Sequence, residues 1–190
     1  NSFYLMPYSF IKMLGFEYHC LMKICRDKGP YFTSALAFRL VYIILYPFLR
    51  NKKIWLFMDR RDSADDNAEQ LFKYASSRDD NIKKYFTVLQ DSKDYGRLTS
   101  RYENVLPFYS IKQRVIYLFA DKIISSHPDE NILNPFYGQN GDLYSGFITF
   151  EKYFLQHGVT KDNISRWLRK FDKDLSLIVT VSDMERQSFL

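Results

Sequence analysis

The chain has 190 residues, of which 46% are hydrophobic and 26% are charged, and it carries a net charge of +5. This length suits one ordinary domain with a substantial core, and this composition excludes a largely disordered protein. The two cysteines, Cys20 and Cys25, are five residues apart in a helical pattern, so they do not share a face. They argue against a disulfide framework and indicate reduced thiols.

The excess positive charge lies in residues 1–53. This segment contains eight Lys or Arg and two acidic residues, so it carries +6 while the rest of the chain carries −1. It also holds 12 of the 34 aromatic residues. Basic and aromatic residues together favour an anionic partner, either a membrane surface or nucleic acid. Because no nucleic-acid recognition motif accompanies the charge, we expect no nucleic-acid partner.

Two helices are predicted before residue 54. Residues 8–26 have an amphipathic pattern, which Gly29-Pro30 ends. The apolar stripe predicted for this helix consists of Ile11, Leu14, Tyr18, Leu21, Met22 and Cys25. A second apolar run covers residues 35–48, and its 14 residues are short for a bilayer span of about 20.

These features predict that residues 1–53 form a basic helical hairpin that docks on an anionic membrane surface. Two alternatives remain: the helices pack on the following domain, or one of them spans the membrane. The residues expected to contact the membrane are Lys12, Lys23, Arg26, Arg39, Lys52 and Lys53.

From residue 54 onward, short apolar runs alternate with helical patterns. The predicted strands cover residues 54–58, 85–89, 104–108, 122–125, 153–156 and 175–181. The predicted helices follow Asp65 or Asp66, begin at the capping box of Ser110, and cover residues 162–171. This alternation predicts that residues 54–190 form an α/β domain with a Rossmann-like, doubly wound parallel sheet.

In such sheets, ligands bind at the carboxyl ends of the strands. Four predicted strands end in polar residues there: Asp59-Arg60, Ser125-Ser126-His127, His157 and Ser182. No Gly-x-Gly-x-x-Gly motif follows the first strand and no Walker A motif is present, which argues against a classical dinucleotide oxidoreductase. No spacing typical of metal ligands stands out, so we predict neither a metal site nor a cofactor.

Two further segments shape the expected organisation. Residues 128–149 contain two Pro and three Gly and are typical of a long functional loop. Residues 182–185 form another capping box, yet the sequence stops at Leu190. We therefore expect a domain that is truncated at its C-terminus.

Six segments carry a family resemblance, in this order: Asp59-Arg60-Arg61-Asp62 followed by Asp66-Asn67-Ala68, then residues 91–95, 123–126, 134–136, 155–158 (Leu-Gln-His-Gly) and 180–185. Together they resemble the CDP-glycerol glycerophosphotransferases, which polymerise teichoic-acid and capsule backbones. The resemblance covers roughly residues 54–190.

The resemblance implies one half of an active site. Related enzymes have two Rossmann-like halves, the GT-B arrangement, of which the N-terminal half faces the growing polymer and the C-terminal half binds CDP-glycerol. This chain resembles the N-terminal half, so its implied role is to hold the acceptor and supply the general base, and the isolated fragment is expected to be inactive. The implied partners are CDP-glycerol or a related CDP-polyol, and a polyol-phosphate polymer on a lipid carrier. The implied location is the cytoplasmic face of the bacterial membrane, as a peripheral protein.

His157 is the predicted base. A neutral imidazole, with a pKa of about 6.5, accepts a proton from an attacking hydroxyl group. The resemblance implies this role, because the His of the family's His-Gly motif is its proposed base. Gly158 allows close backbone approach, and Lys161 with the following helix N-terminus offers a positive site for phosphate. The competing interpretation is a turn histidine that is hydrogen-bonded to the backbone.

Five residues at the ends of the first and fourth strands are predicted to bind the acceptor: Asp59, Arg60, Asn67, Ser126 and His127. Otherwise they form a helix cap, a surface ion pair and a structural loop. Two other functions stay open at this stage. One is a sugar-nucleotide glycosyltransferase of the same architecture, and the other is a non-catalytic module that binds membrane or acceptor.

Overall fold

The computed structural model describes residues 10–139, 141–144, 146–147, 149–156, 168 and 170–188. They fall into two compact units. The hairpin unit comprises Asn1–Asn51 and Gln139–Phe147, and the sheet unit comprises Lys52–Gly138 and Ile148–Leu190.

The hairpin unit contains two long helices and a short turn. Helix α1 covers Phe10–Asp27, helix α2 covers Phe32–Leu49, and a 3-10 turn covers Gly141–Tyr144. The chain reverses between the helices through left-handed conformations at Lys28 (φ 41°) and Tyr31 (φ 65°). The two helices are therefore joined by a tight connection of only four residues.

Helix α1 does not bury the apolar stripe that its sequence predicts. Its buried residues are Met13, Glu17 and Ile24, which share one side at helical spacing. From the predicted stripe, Ile11 is 80% exposed and Met22 is 54% exposed. Periodicity in a sequence locates the apolar face of a helix but does not show whether other residues cover it. In α1 the predicted apolar face is exposed.

A buried ion pair joins the two helices. The Arg39 guanidinium donates to the Glu17 carboxylate over 2.8 Å, and both side chains are almost completely buried. Arg39 also donates to the carbonyl oxygen of Leu143 over 3.1 Å and lies 4.4 Å from the centre of the Phe147 ring. Burial raises the pKa of Glu17, while the hydrogen bond and charge of Arg39 act in the opposite direction.

This pair corrects the prediction for Arg39. A guanidinium enclosed by a carboxylate, a carbonyl oxygen and an aromatic ring is not presented to a membrane surface. The prediction of membrane contact is therefore wrong for this residue. Its role is to hold the Gly141–Tyr144 turn and Phe147 against α2.

Helix α2 is longer than the apolar run that predicts it. Its 18 residues, with a mean hydropathy of 1.7, make it long and apolar enough to cross a membrane by length and composition. Only 22% of this helix is buried within the protein. The helix exceeds the 14-residue apolar run because it begins three residues earlier, at Phe32, and ends one residue later, at Leu49. A spanning helix and an interfacial helix therefore both remain alternatives for α2.

The sheet unit contains six parallel strands. They are β1 (Lys53–Met58), β2 (Ile82–Val88), β3 (Val105–Pro107), β4 (Lys122–Ser125), β5 (Glu151–Leu155) and β6 (Leu175–Val179). Their order across the sheet is β3-β2-β1-β4-β5-β6, and every neighbouring pair is parallel. This is the strand order of a doubly wound Rossmann-like sheet, so the predicted fold class is confirmed.

Helices accompany the strands. They are α3 (Asn67–Ser76), α4 (Lys93–Thr99), α5 (Ile111–Leu118), α6 (Glu130–Leu133), α7 (Lys170–Lys173) and α8 (Asp183–Ser188). The sequence patterns do not predict α4 or α6. Each of these helices has fewer than two full turns, which is too short for an amphipathic pattern to be recognised. The helix predicted over residues 162–171 lies mostly outside the described residues.

The core of the sheet unit forms where α3 and α4 pack on one face of the sheet. The ring of Phe72 in α3 packs at a tilt against Phe57 of β1 and Phe86 of β2, with ring centres 5.6 and 5.5 Å away. Because side chains alternate across a strand, Leu56 and Met58 lie on the other face, where they are also fully buried. Strand β1 is thus buried on both faces, as its continuous apolar run predicts.

A bidentate ion pair braces α3 against α4. The guanidinium of Arg97 donates to both carboxylate oxygens of Glu69, over 2.6 and 2.7 Å, and Lys73 contacts the same carboxylate. Arg97 also binds Asp94, which accepts from the backbone of Ala64. Burial acts to raise the pKa of Glu69, but its bonds to Arg97 and Lys73 outweigh burial and lower the pKa to about 2.

Replacing Glu69 should change how stability depends on pH. Because the folded-state pKa lies below the ordinary value of 4.5, this carboxylate stabilises the fold above pH 4.5. That contribution, at most about 3 kcal/mol, is lost as the pH falls towards 2. In urea unfolding at pH 6 and pH 3, Glu69→Gln should lose less stability on acidification than the wild type. Glu103→Gln, which removes an exposed carboxylate of the same unit, should behave as wild type, and equal losses in all three proteins would refute the assignment.

Candidate functional site at the carboxyl edge of the sheet

The sheet changes direction between β1 and β4. From β1 the chain builds outward through β2 to β3, and from β4 it builds through β5 to β6 on the other side. Met58 and Ser125, the last residues of β1 and β4, are paired in register. Asp59 and Ser126 therefore leave the sheet side by side, at the crevice where doubly wound folds bind ligands.

Asp59 is the centre of this edge. One carboxylate oxygen accepts hydrogen bonds from the Ser126 hydroxyl over 2.5 Å and from the backbone N–H of Ala68 over 3.0 Å. The other oxygen accepts from the backbone N–H groups of Asp66 and Glu69, over 3.1 and 3.2 Å. A single side chain thus joins the ends of two strands to the first turn of α3, whose free N–H groups favour a negative charge.

Asp59 and Ser126 are positioning groups, since both are almost fully buried, with exposed fractions of 1% and 0%. Burial raises the pKa of Asp59, while its bonds from Ser126 and from the backbone of Asp66 and Ala68 act to lower it. All the hydrogen-bonding directions of this carboxylate point into the protein. The prediction that these two side chains contact a substrate is therefore revised: they shape the edge on which other residues are exposed.

Arg60, which is exposed, and His127, which is half-buried, form the accessible part of the same edge. The Nε–H of Arg60 donates to Nε2 of His127 over 2.9 Å, and the backbone N–H of His127 donates to the Ser125 hydroxyl. A histidine nitrogen that accepts a hydrogen bond carries no proton, so this contact selects the imidazole with its proton on Nδ1. Sequence analysis predicts both residues at the site, and the structure brings them into contact.

Asn67 connects α3 to the end of β5. Its side-chain N–H donates to the carbonyl oxygen of Gln156 over 2.6 Å. Gln156 is buried and its own N–H donates to Val179 of β6. The backbone immediately before His157 is therefore fixed at this edge, while His157, Gly158 and Lys161 themselves lie outside the described residues.

The residues predicted to dock on a membrane are distributed over both units. Lys12, Lys23 and Arg26 lie on the exposed surface of α1, and Lys52 and Lys53 are exposed at the start of the sheet unit. Within the described ranges, no group of three His, Cys, Asp or Glu side chains is arranged to hold a metal ion.

A comparison with protein families matches residues 37–143 to the CDP-glycerol:poly(glycerophosphate) glycerophosphotransferases. The matched segment contains β1 to β4 and with them Asp59, Arg60, Asn67, Ser126 and His127. The chain belongs to this family. The resemblance stated from the sequence motifs is thereby confirmed.

One curated relative supports this membership. The chain is 43% identical over 158 residues to the "Minor teichoic acid biosynthesis protein GgaB" of Bacillus subtilis (strain 168). The alignment covers 83% of this chain and 17% of GgaB. The chain therefore spans about a sixth of the length of its relative.

Two contributors to the site are not among the residues predicted to bind a ligand. Gln156 takes part through its backbone carbonyl oxygen, which no side-chain motif reveals. Ser125 supports the backbone of His127 through its hydroxyl group. The position of Ser125 at the end of a predicted strand, beside Ser126, indicates that it lies at this edge. Only the turn after β4 determines that its hydroxyl group accepts a hydrogen bond from the backbone of His127.

Replacing Asp59 should destabilise the sheet unit more than replacing the neighbouring helix cap. Asp59→Ala leaves buried N–H groups and the Ser126 hydroxyl without their acceptor, so we expect a loss of about 2–4 kcal/mol. Asp66→Ala removes the N-cap side chain of α3, which accepts from Asn67, and should cost about 1 kcal/mol. Urea denaturation measures both values. Equal losses in the two variants would show that Asp59 is an ordinary cap.

Proposed function

We propose that this chain takes part in transferring glycerol phosphate, or a related polyol phosphate, from a CDP-polyol to the hydroxyl end of a teichoic-acid or capsule-type polymer. The observation that carries the proposal is the family match over β1 to β4, which includes the polar edge at the switch point. The GgaB relative, a teichoic acid biosynthesis protein by name, points to the same process.

The proposed chemistry is an in-line displacement at phosphorus. A terminal hydroxyl oxygen of the acceptor attacks the β-phosphate of CDP-glycerol, and a new P–O bond forms to the acceptor. The bond between the β-phosphorus and the bridging oxygen breaks, and CMP leaves with that oxygen. The proton of the attacking hydroxyl passes to His157. General-base help of this kind contributes roughly 10²–10⁴ in rate.

The described residues have distinct roles in this proposal. Arg60, Asn67 and His127 are the accessible polar groups, so they contact the acceptor. Asp59 and Ser126 hold the ends of β1 and β4 together, and Asn67 holds the backbone that leads to His157. Gly158 and Lys161 accommodate a phosphate beside the base. The donor is bound mostly by a second Rossmann-like half, in a GT-B arrangement.

The hairpin unit is the proposed membrane contact, on the cytoplasmic face of the bacterial membrane. Around α1, the buried side at Met13 and Ile24 is flanked by two exposed stripes. One is apolar and includes Ile11, Tyr18 and Met22, with exposed fractions of 54–80%. The other is basic and contains Lys12, His19, Lys23 and Arg26. A helix with an exposed apolar stripe beside a basic one is suited to an anionic lipid interface.

Replacing the proposed base tests the reaction. In the intact protein, His157→Ala should lower kcat for CMP release from CDP-glycerol in the presence of acceptor by a factor of about 10²–10⁴. Arg101→Ala, a change at an exposed residue near the amino edge of β3, should retain wild-type turnover. Unchanged CMP release in the His157 variant would eliminate the general-base role.

The same assay separates the alternative functions. Transfer from a sugar nucleotide, with release of its nucleotide and no CMP from CDP-glycerol, would identify a glycosyltransferase. Acceptor binding without turnover of any nucleotide donor in the intact protein would identify a non-catalytic module. The proposal requires CMP release that depends on the acceptor.

Removing positive charge from α1 should weaken membrane binding. Each Lys or Arg near an anionic surface contributes about 1 kcal/mol, so replacing Lys12, Lys23 and Arg26 together by Gln should lower vesicle affinity roughly a hundredfold. Co-sedimentation with phosphatidylglycerol vesicles measures this affinity. The matched control replaces three exposed basic residues of the sheet unit, Lys83, Arg101 and Lys112, and should bind as wild type. Equal binding by both triple variants would rule out docking through α1.

A further inference from the structure

A depression lies beside the switch point, on the side of β2. It has a volume of about 250 Å³ and is lined by Arg60, Arg61, Asp62, Leu89 and Ile132. The first three residues follow β1, and Leu89 follows β2, so the depression opens at the same carboxyl edge as the Asp59 cluster. Its volume is below the roughly 300–1,000 Å³ of pockets for drug-sized ligands, which suits a small group and not a whole nucleotide.

The turn that carries the two arginines is fixed at both of its sides. The backbone N–H of Arg60 donates to the carbonyl oxygen of Ser63 over 3.1 Å, which closes the turn. The carbonyl oxygen of Arg61 accepts from the backbone N–H of Leu89 over 2.6 Å, which ties the turn to the end of β2. The two guanidinium groups therefore extend from a rigid base.

Both guanidinium groups are oriented by neutral acceptors. Arg61 donates to the phenol oxygen of Tyr109 over 2.6 Å, and Arg60 donates to the imidazole of His127 over 2.9 Å. Within the described part of the chain, neither arginine forms an ion pair with a carboxylate. Arg97 of the same unit behaves differently, since it is neutralised by Glu69 and Asp94. The lining thus carries two positive charges and the one negative charge of Asp62, a net charge of +1.

Tyr109 is held in an unusual backbone conformation to make its contact. Its φ is 70°, in the left-handed region that costs a non-glycine residue free energy. Its ring packs edge-on against Phe108, and the Arg114 guanidinium lies 5.8 Å from the ring centre. The residue follows β3, so its hydroxyl group reaches back across the edge to Arg61 after β1. The strained backbone of Tyr109 therefore accompanies the hydrogen bond that orients the Arg61 guanidinium. The Tyr109 side chain is 41% exposed.

We infer that this depression is a subsite for one phosphodiester group of the polyol-phosphate acceptor, at a repeat unit behind the reacting end. A phosphodiester carries one negative charge, which matches the net charge of the lining, and its two free oxygens suit the forked guanidinium groups. Leu89 and Ile132 offer apolar surface to the methylene groups on either side. The inference rests on the proposed function, because that function supplies the acceptor. It extends that function because the subsite would bind a polymer, which contains such a phosphodiester, more tightly than a single glycerol phosphate, which does not.

A binding experiment with a synthetic glycerol phosphate trimer tests the subsite without requiring turnover. In calorimetric titrations of the intact protein, Arg61→Gln should weaken trimer binding tenfold or more, because it removes a charge-assisted hydrogen bond. Tyr109→Phe keeps the ring and removes only the hydroxyl that orients Arg61, so a weakening of about threefold is expected. Arg101→Gln, the same substitution at an exposed arginine near the amino edge of β3, should bind the trimer as wild type.

Kinetics with the trimer as acceptor provide the second readout. Arg61→Gln should raise KM for the trimer while kcat changes less than twofold, since the reacting hydroxyl lies elsewhere. Trimer affinities of Arg61→Gln and Tyr109→Phe both within twofold of the Arg101→Gln control would overturn the subsite.

The failure of the subsite and the failure of the proposed function are distinguishable. If the wild type binds the trimer through Arg61 but releases no CMP from CDP-glycerol, the subsite is supported and the proposed transfer reaction is refuted. If CMP is released and Arg61→Gln changes neither trimer affinity nor KM, the transfer reaction is supported and the subsite is refuted.

Discussion

The buried carboxylate of Asp59 is the constraint on which the site depends. It stands where β1 leaves the sheet and accepts hydrogen bonds from the hydroxyl after β4 and from three backbone N–H groups at the start of α3. A charged group buried in this way is costly unless its bonds are satisfied. Here the cost is offset by four donors and by the positive end of a helix. Any displacement of β1, β4 or α3 would leave part of this network unpaired, so the three elements keep one relative position.

The buried network around Asp59 is flanked by accessible residues that are held in place by hydrogen bonds. Arg60, Asn67 and His127 are each adjacent in sequence to a residue of this buried network. Each is oriented by a hydrogen bond to another segment of the edge. The bidentate bond from Arg97 to Glu69 supports the same first turn of α3. The edge therefore separates residues that determine geometry from residues that remain available to a ligand, a division that functional sites commonly require.

The hairpin unit applies electrostatics in a different way. Its central ion pair between Glu17 and Arg39 is buried, and the cost of removing both charges from water offsets much of their attraction. The pair holds Glu17 of α1 against Arg39 of α2. Large apolar side chains of the same two helices, such as Ile11, Ile44 and Phe48, are exposed, with fractions of 64–80%. These exposed apolar side chains are the observation that supports the proposed lipid contact.

Sequence alone determined the fold class, because the apolar runs of β1, β4 and β5 and their alternation with helices follow from local periodicity and capping. It also located Asp59, Arg60, Asn67, Ser126 and His127 at one edge, since the ends of parallel strands share an edge. What it did not determine is which of these side chains is buried, since burial depends on partners that are distant in the chain. Only the tertiary structure turned Asp59 and Ser126 inward, enclosed Arg39 with Glu17, and brought Arg61 to Tyr109, 48 residues away. Each of these contacts joins segments whose separation no local pattern encodes, and that is the physical reason the structure had to decide them.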